Sequence, residues 1–507
     1  MMSGPIPFFD VLVRDFMPFL RIAPILGAIM AVFGLTFGVP LGVSYFLVDG
    51  ATDTFFWPML LCVGLGALVW LLGRRGLSKP NELQARDGML LVGLAWSVLP
   101  ALAAIPLWLY FQDTPKPLSW TGAYFEAMSG LTTTGSTVIT GLDDLPVSIN
   151  VWRCFLQWLG GMGILVLAVA ILPMLGVGGS QMFRAEATGP MKDTKLTPRI
   201  TETAKGLWTV YCALSLLCVG AYWWGGMSMS DAWIHMFSTM SLGGLSSHDS
   251  SFGYFQSPLL EAICIVFMLI ASCNFALYFV AFKKRTPSRI WRDTEWRSTM
   301  LMLIGFSGVV AALLVLKGTE PDGWQALRMA LFNVVSIAST TGYSTVDYTQ
   351  WPIFAPILMI LLSGLATSAG STGAGIKMAR LLILLKQARR EMKRLVHPRA
   401  VIPITSGGSV VDNATIFSVL AFMMVYGATV VVMTMLLLLT DMPFDTALSA
   451  VLASVNNMGP GLNEIGPAGN YAGLSTVQLW ICTLTMLLGR LEMLSFLVLF
   501  TRGYWRK

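Results

Sequence analysis

Charge is what this chain has least of. Only 12% of its 507 residues are Asp, Glu, Lys or Arg, against 55% hydrophobic, whereas a soluble domain carries about 25% charged residues. So few charges cannot cover a water-facing surface of this length, which excludes an ordinary soluble fold. Histidine is nearly missing: His235, His248 and His397 are the three present, too scattered along the chain to read as a metal site. The seven cysteines include no CxxC pair, so neither a disulfide framework nor a zinc site is indicated. Cys62, Cys212, Cys218, Cys264, Cys273 and Cys482 sit inside apolar runs and Cys154 starts one, as small buried apolar residues. No basic segment precedes the first apolar run, and that run is too long for the core of a cleaved signal. HExxH and GxSxG are missing too, which leaves a membrane-embedded enzyme without its nucleophile or metal.

What the chain has instead is apolar length. A helix needs about 20 apolar residues to cross the hydrocarbon. Such runs lie at Pro18–Val48, Thr54–Leu72, Met89–Tyr110, Trp152–Leu175, Leu207–Trp224, Pro258–Phe282, Thr299–Leu316, Pro352–Leu385, Phe417–Leu439 and Thr476–Phe500. The segments between them alternate in charge. Arg74, Arg75, Lys79 and Arg86 follow the second span; Arg184, Lys192, Lys195, Arg199 and Lys205 follow the fourth. Lys283, Lys284, Arg285, Arg289, Arg292 and Arg297 follow the sixth, and Lys386, Arg389, Arg390, Lys393, Arg394 and Arg399 the eighth. Arg502, Arg506 and Lys507 close the chain, while Asp49, Asp53, Asp143, Asp144, Asp249, Glu320, Asp322, Asp441 and Asp445 mark the other side. By the positive-inside rule the basic side and both termini are cytoplasmic. The net charge of +6 reports topology, and no nucleic-acid partner is expected.

The outward segments share one plan. YFEAMSGLTTTGSTV, WIHMFSTMSLGGLSSHD, MALFNVVSIASTTGYSTVD and ALSAVLASVNNMGPGLNEIG are each a short amphipathic stretch ending in a small or polar cluster and a glycine. Gly135, Gly244, Gly342 and Gly459 fall in register, 109, 98 and 117 residues apart, an internal repeat. Each stretch is too short to cross, and Ser119, Ser230, Asp322 and Asp441 stand near their starts as helix-starting residues. The fold expected is an all-α polytopic membrane protein. Four pseudo-repeats of helix, pore half-helix, filter loop and helix surround one central pore, with two extra N-terminal spans. The units are residues 1–86 for the extra spans, then 87–200, 201–295, 296–400 and 401–507.

Non-helical backbone at membrane depth is tolerated only where protein buries it or water reaches it. Four such breaks converging on one axis make a pore. Half-helices entering from outside aim the negative ends of their dipoles at the membrane centre, which suits a cation. Glycine permits positive φ, so carbonyls can turn inward and replace a hydration shell. No strongly charged side chain occupies the small or polar clusters themselves, the acids lying beyond the glycines, which argues against Mg²⁺ or Ca²⁺.

These four clusters, with the spans around them, closely resemble the Trk/Ktr/HKT superfamily of potassium transporters. The length and the two extra spans look like its bacterial TrkH branch, and the likeness covers essentially the whole chain. It implies K⁺ as the transported ion and one filter strand per repeat. The strands are Thr133, Thr134 and Gly135; Leu242, Gly243 and Gly244; Thr340, Thr341 and Gly342; and Asn457, Met458 and Gly459. With one register glycine per strand, the filter is expected to be short and to discriminate K⁺ from Na⁺ less absolutely than a channel with two.

Pro352 to His397 shows no break to a loop, yet as one helix it would reach roughly 67 Å. SGLATSAGSTGAGIK, Ser363 to Lys377, interrupts it with four glycines, each disfavouring helix by about 1 kcal/mol. The resemblance implies an intramembrane gate here, Gly370, Ser371, Thr372, Gly373, Ala374 and Gly375, that obstructs the pore and moves on activation. The same run imitates a nucleotide loop, but its spacing is one residue too long, Met follows Lys377 and no strand precedes it. No nucleotide is expected on this chain. Arg490 lies in the last span, where an arginine is costly unless paired or wet. Leu487, Met486, Met493 and Leu494 cannot pair with it and Glu492 faces another way, so it must meet a carbonyl, an acid of another span, or water. The resemblance puts this arginine beneath the filter, close to the gate. Glu126, His235 and Glu261 read as packing partners.

The resemblance also implies a homodimer in the bacterial cytoplasmic membrane and a soluble nucleotide-binding ring of the TrkA type on the cytosolic face. The basic extension Lys377 to Arg399 is the lever such a ring would pull; ordinary anchoring to anionic membrane lipid is its alternative reading. A Na⁺- or H⁺-coupled cation symporter remains the alternative function, although such folds usually carry inverted twofold repeats.

Overall fold

The computed structural model describes residues 8–75, 85–170, 200–406 and 409–505. Lys79, Arg184, Lys192, Lys195, Arg199, Arg506, Lys507, the first seven residues and the end of the fourth span lie outside the described residues.

Helices α1 (Phe8–Thr36), α2 (Gly38–Leu47) and α3 (Thr52–Arg75) form the front of the chain. A Cβ on Gly27 would fall 2.4 Å from the Trp70 amide nitrogen, and one on Gly66 2.4 Å from that of Ala31. Glycine lets α1 and α3 approach this closely in lipid, where packing rather than the hydrophobic effect joins helices.

The first repeat is α4 (Ala85–Gln112), α5 (Trp120–Leu131) and α6 (Val147–Ala170). The second is α7 (Ile200–Trp224), α8 (Met229–Ser241), α9 (Pro258–Ala271) and α10 (Phe275–Lys283), followed by the short α11 (Ser288–Arg292). The third is α12 (Thr294–Leu316), α13 (Gly323–Ala338), α14 (Phe354–Ser363) and α15 (Met378–Val396). The fourth is α16 (Asn413–Leu438), α17 (Phe444–Val455), α18 (Thr476–Arg490) and α19 (Leu494–Leu497), and α20 (Arg502–Trp505) ends it. Outer helix, half-helix, extended segment and inner helix thus recur four times. Outer helices face lipid with apolar residues and keep hydroxyls inward: α12 exposes Leu301 and Ile304 and buries Ser307, and α16 exposes Met424 and Val431 and buries Thr434. The all-α expectation misses one feature, a two-residue antiparallel ladder, Thr405–Ser406 against Ser409–Val410, between α15 and α16.

Half-helix starts follow local capping chemistry. Ser119 accepts from the Gly122 amide and Asp322 from that of Trp324. The other two differ from expectation. Helix α8 already contains Ser230, so the capping hydroxyl is Ser228, accepting from Asp231. Helix α17 starts behind Pro443 with no side-chain cap, while Asp441 sits left-handed at φ 60°.

Two inner helices expected to be single spans are bent. Helices α9 and α10 meet at 87°, and α18 meets the following turn at 106°. In the first, Asn274 caps α10 by accepting from the Ala276 amide; in the second, Glu492 and Met493 take φ of 56° and 46°. Among the described residues three of the four inner helices are therefore broken, since residues 364–377 divide α14 from α15.

Candidate functional site

Every half-helix ends in the same way. The amides of Thr134, Gly243, Thr341 and Met458 donate to the carbonyls of Ser129, Ser238, Ser336 and Ala453, all at 2.8 Å. The residue before each donates three positions back: Thr133 to Gly130, Leu242 to Thr239, Thr340 to Ile337 and Asn457 to Ser454, at 3.0, 3.2, 3.1 and 3.2 Å. These are the two bonds of a Schellman ending, which needs a left-handed residue just past the helix. Thr133, Leu242, Thr340 and Asn457 supply it, at φ of 56°, 56°, 66° and 50°. Asparagine tolerates that conformation; for threonine it is an outlier, at a cost of about 1–2 kcal/mol. Strain repeated at one register four times marks a backbone direction worth its cost.

Two residues on, Gly135, Gly244, Gly342 and Gly459 are left-handed as well. A Cβ on Gly135 would lie 2.1 Å from the Gly243 carbonyl oxygen, and one on Gly244 2.0 Å from that of Thr341. On Gly342 it would lie 2.2 Å from the Met458 oxygen, and on Gly459 2.9 Å from that of Thr134. Repeat one abuts two, two abuts three, three abuts four, and four returns to one. The segments close a ring around one axis.

The ring is braced from behind. Gln157 of α6 is fully buried; its amide donates to the Gly243 carbonyl at 2.6 Å and its oxygen accepts from the Ser238 hydroxyl and the Leu245 amide. Asn457 donates to the Thr134 hydroxyl at 2.9 Å. The Gly459 carbonyl accepts from Ser136 and Tyr471. The Gly243 carbonyl thus spends one lone pair on Gln157 and keeps the second, whereas the Gly459 carbonyl gives both to side chains. Nine residues before each of the first three glycines stand Glu126, His235 and Asn333. Glu126 accepts from the Thr137 hydroxyl and Val138 amide, His235 Nε2 bonds Ser246, and Asn333 bonds Thr345. In the fourth repeat Ser449 accepts from the Leu462 amide instead. The packing role expected for Glu126 and His235 is therefore specific: each ties its half-helix to its own outgoing strand. Glu126 is also paired with Arg153 at 2.8 Å, both side chains at 0% exposure, and Glu261 with Arg328 at 2.7 Å.

On one side of the ring is a mouth of about 80 Å³, lined by Gly135, Gly244, Gly342, Gly459, Arg153 and Asp249 among others. On the other, residues 364–377 pack against the half-helix ends: the Thr372 hydroxyl donates to the Met240 carbonyl at 3.2 Å, and a Cβ on Gly373 would be 3.1 Å from the Thr340 hydroxyl. The same loop pairs with the break between α9 and α10, through Ser368 to the Ser272 carbonyl and Phe275 to the Gly370 carbonyl. Arg490, 2% exposed, ends α18 and reaches carbonyls, the first of its three possible partners. It donates to Thr372 at 3.0 Å and to Gly160 of α6 at 3.1 Å.

A family model for TrkH, described as a cation transport protein, matches residues 53–506. The chain belongs to the TrkH family. The Trk system potassium uptake protein TrkH of Vibrio parahaemolyticus is 43% identical across 97% of this chain and 100% of its own length. The protein of the same name from Halomonas elongata is 44% identical across 95% and 98%. The crystal structure of the potassium transporter TrkH from Vibrio parahaemolyticus matches with a TM-score of 0.88 at 40% identity, covering 96% of this chain and 100% of that one.

In this TrkH-family chain the mouth end of the ring holds a cluster that the spacing of the histidines hid. His248 bonds Asp143 through Nδ1, lies 3.4 Å from Asp231 through Nε2 and stacks on Tyr254 at 3.4 Å. His235 is also close, ring centroids 6.2 Å apart. The cluster ties the first repeat, through Asp143, to the second. Burial lowers the affinity of His248 for a proton, but the hydrogen bonds and charges of Asp231 and Asp143 outweigh it and raise the pKa. Burial would raise the pKa of Asp231 and Asp143; hydrogen bonds, His248 chief among them, bring both below the ordinary value. The signs follow. The His248 contribution is complete below its unfolded pKa of about 6.5 and is lost as pH rises through the raised folded value; the aspartate contributions are lost in acid. Melting of the detergent-purified protein should therefore fall between pH 6 and 8.5, and His248→Gln should flatten that slope. Equal slopes in the two proteins would dismiss the cluster as a pH-linked tie.

Proposed function

We propose that this chain takes up potassium across the bacterial cytoplasmic membrane through one pore whose walls are its own four repeats, with both termini in the cytosol. The observation that carries this reading is the closed ring, in which each glycine yields its Cβ space to the next repeat's carbonyl. Its relatives are named potassium uptake proteins. The filter is formed by Thr133, Thr134, Gly135, Leu242, Gly243, Gly244, Thr340, Thr341, Gly342, Asn457, Met458 and Gly459. The C-terminal ends of α5, α8, α13 and α17 point negative dipole ends at it, and a carbonyl cage of this kind substitutes for the water of a weakly hydrated monovalent cation. Transport rather than catalysis is the work of the site. We divide the repeats at residues 87–200, 201–295, 296–400 and 401–507, behind the extra spans of residues 1–86, although α4, α7 and α12 begin one or two residues before those bounds.

Gly370, Ser371, Thr372, Gly373, Ala374, Gly375 and Arg490 form the gate beneath the filter. The loop fills the path, and the Arg490 charge opposes a passing cation. Chains pair as homodimers, and a separate nucleotide-binding ring moves the gate through α15, which extends with Lys386, Arg389, Arg390, Lys393 and Arg394. Purified chain in proteoliposomes should take up K⁺ and Rb⁺ in preference to Na⁺ and Li⁺, by about tenfold or more. ATP or NADH should alter that flux only once the ring is added. Uptake of Na⁺ as fast as K⁺ would refute the filter, and nucleotide control of the chain alone would refute the partner.

A further inference from the structure

Two carboxylates from distant parts of the chain close on the junction of the loop and α15. Glu492, in the break after α18, sets Oε2 2.9 Å from Arg380 Nη2 and Oε1 3.5 Å from Lys377 Nζ. Arg380 is 2% exposed, and its guanidinium also lies 4.1 Å over the Phe422 ring of α16. Glu295, at the start of α12, accepts from the Ala369 amide inside the loop at 2.8 Å and from the Ala379 amide in the first turn of α15 at 3.2 Å. Helix α15 follows Lys377, which has φ 71° and gives no side-chain cap. A glutamate from another span therefore does for α15 what its flanking residue Lys377 does not: it satisfies an end amide and sets a negative charge at the positive end of the dipole. Both acids hold residues 377–380, and Glu295 holds the loop in the same grip. Lys377 and Glu492 are both left-handed, a strain that persists only where the surroundings over-determine it.

We propose that Glu492 and Glu295 form a clasp that keeps the first turn of α15 seated and the loop in the pore, and that opening begins when Lys377 and Arg380 leave Glu492. This rests on the reading of residues 370–375 as the gate. The clasp is distinct from Arg490, which grips the loop at Thr372; the acids grip the helix that would move it. Glu492 and Glu295 are positioning residues: they do not touch the ion but fix the segment that does.

The test is basal K⁺ flux in proteoliposomes without the ring, for Glu492→Gln, Arg380→Gln and the double variant, beside a chain shortened between Ala369 and Gly375. Each Gln variant should raise basal flux at least tenfold with the K⁺/Na⁺ preference and the ring-activated maximum unchanged. The double variant should leak no more than the larger single one, because Glu492→Gln already breaks the pair that Arg380→Gln removes. A mere change of charge near the pore would move the two singles in opposite directions, since one removes an anion and the other a cation, and that outcome overturns the clasp. Unchanged flux in both singles while the shortened loop leaks also overturns it and leaves the gate standing. Unchanged flux in all of them removes the gate and the clasp together. If a Gln variant does not assemble, the charge swap Glu492→Arg with Arg380→Glu decides: parental flux supports the clasp, a leak overturns it.

Discussion

Gly135→Ala should cost this chain most of its preference for K⁺ over Na⁺, and Gly459→Ala should cost much less. Both glycines are left-handed, so an alanine at either pays a similar backbone strain of about 1–2 kcal/mol. What separates them is the neighbour. The added methyl at 135 would sit 2.1 Å from the Gly243 carbonyl oxygen, whereas at 459 the nearest atom is 2.9 Å away. That oxygen cannot turn aside cheaply: it belongs to backbone, and Gln157 holds it at 2.6 Å. The second strand must move as a unit, which displaces the carbonyls that we propose replace the ion's hydration shell. Gly244 and Gly342, at 2.0 and 2.2 Å, belong with Gly135. The control is Gly141, at φ 73° with nothing within 4 Å of its missing Cβ. Its alanine variant carries the strain without the collision, and selectivity should survive. We expect losses of about tenfold or more in K⁺/Na⁺ competition at 135, 244 and 342, the scale of some 1.4 kcal/mol of discrimination. Equal losses at 135 and 459 would show that strain rather than the ring contact decides, and no loss at any of them would take these glycines out of the filter.

The ring's members were legible in the sequence because glycine advertises a backbone requirement, and four in register cannot be packing surface alone. Thr133, Leu242, Thr340 and Asn457 were expected among the strands but not as left-handed residues. A non-glycine with positive φ leaves no mark in composition, and only the Schellman bonds reveal it. The breaks after α9 and α18 were missed for another reason. Hydropathy averages over a run, and neither Asn274 nor Glu492 with Met493 lowers it enough to divide a span. Asn274 was the available signal, a capping residue inside an otherwise apolar segment. Glu492 was judged by helical spacing from Arg490. That spacing fails because the helix ends at Arg490 and Glu492 lies past its end at φ 56°, which turns the carboxylate toward Lys377 and Arg380. Loop 364–377 was legible in outline, since four glycines cannot sustain a helix, but its docking into the break of the second repeat is tertiary and left no local trace.

Arg490→Ala should open the pore to a basal leak, and Arg490→Lys should leak nearly as much. The first expectation has two sources. Removing the guanidinium takes a positive charge from below the proposed filter, and it releases the Thr372 and Gly160 carbonyls, held at 3.0 and 3.1 Å. Hydrogen bonds from charged donors contribute about 1.5–3 kcal/mol each. Losing the one to Thr372 alone would shift the closed-to-open balance by about one to two orders of magnitude if the bond exists only when the loop is seated. Lysine separates charge from tether. It keeps the positive charge, but its single ammonium lacks the rigid fork that lets arginine reach two carbonyls on two elements at once. Gly160 is an anchor with no freedom to follow, because a Cβ there would meet the Leu131 carbonyl oxygen at 1.9 Å; the arginine must come to it. Proteoliposome flux without the cytosolic ring distinguishes the cases. A lysine variant as tight as the parent would make repulsion of the ion the whole of the barrier, whereas a leak close to that of the alanine variant assigns closure to the grip on Thr372. An alanine variant that assembles and conducts no faster than the parent would remove Arg490 from the gate altogether.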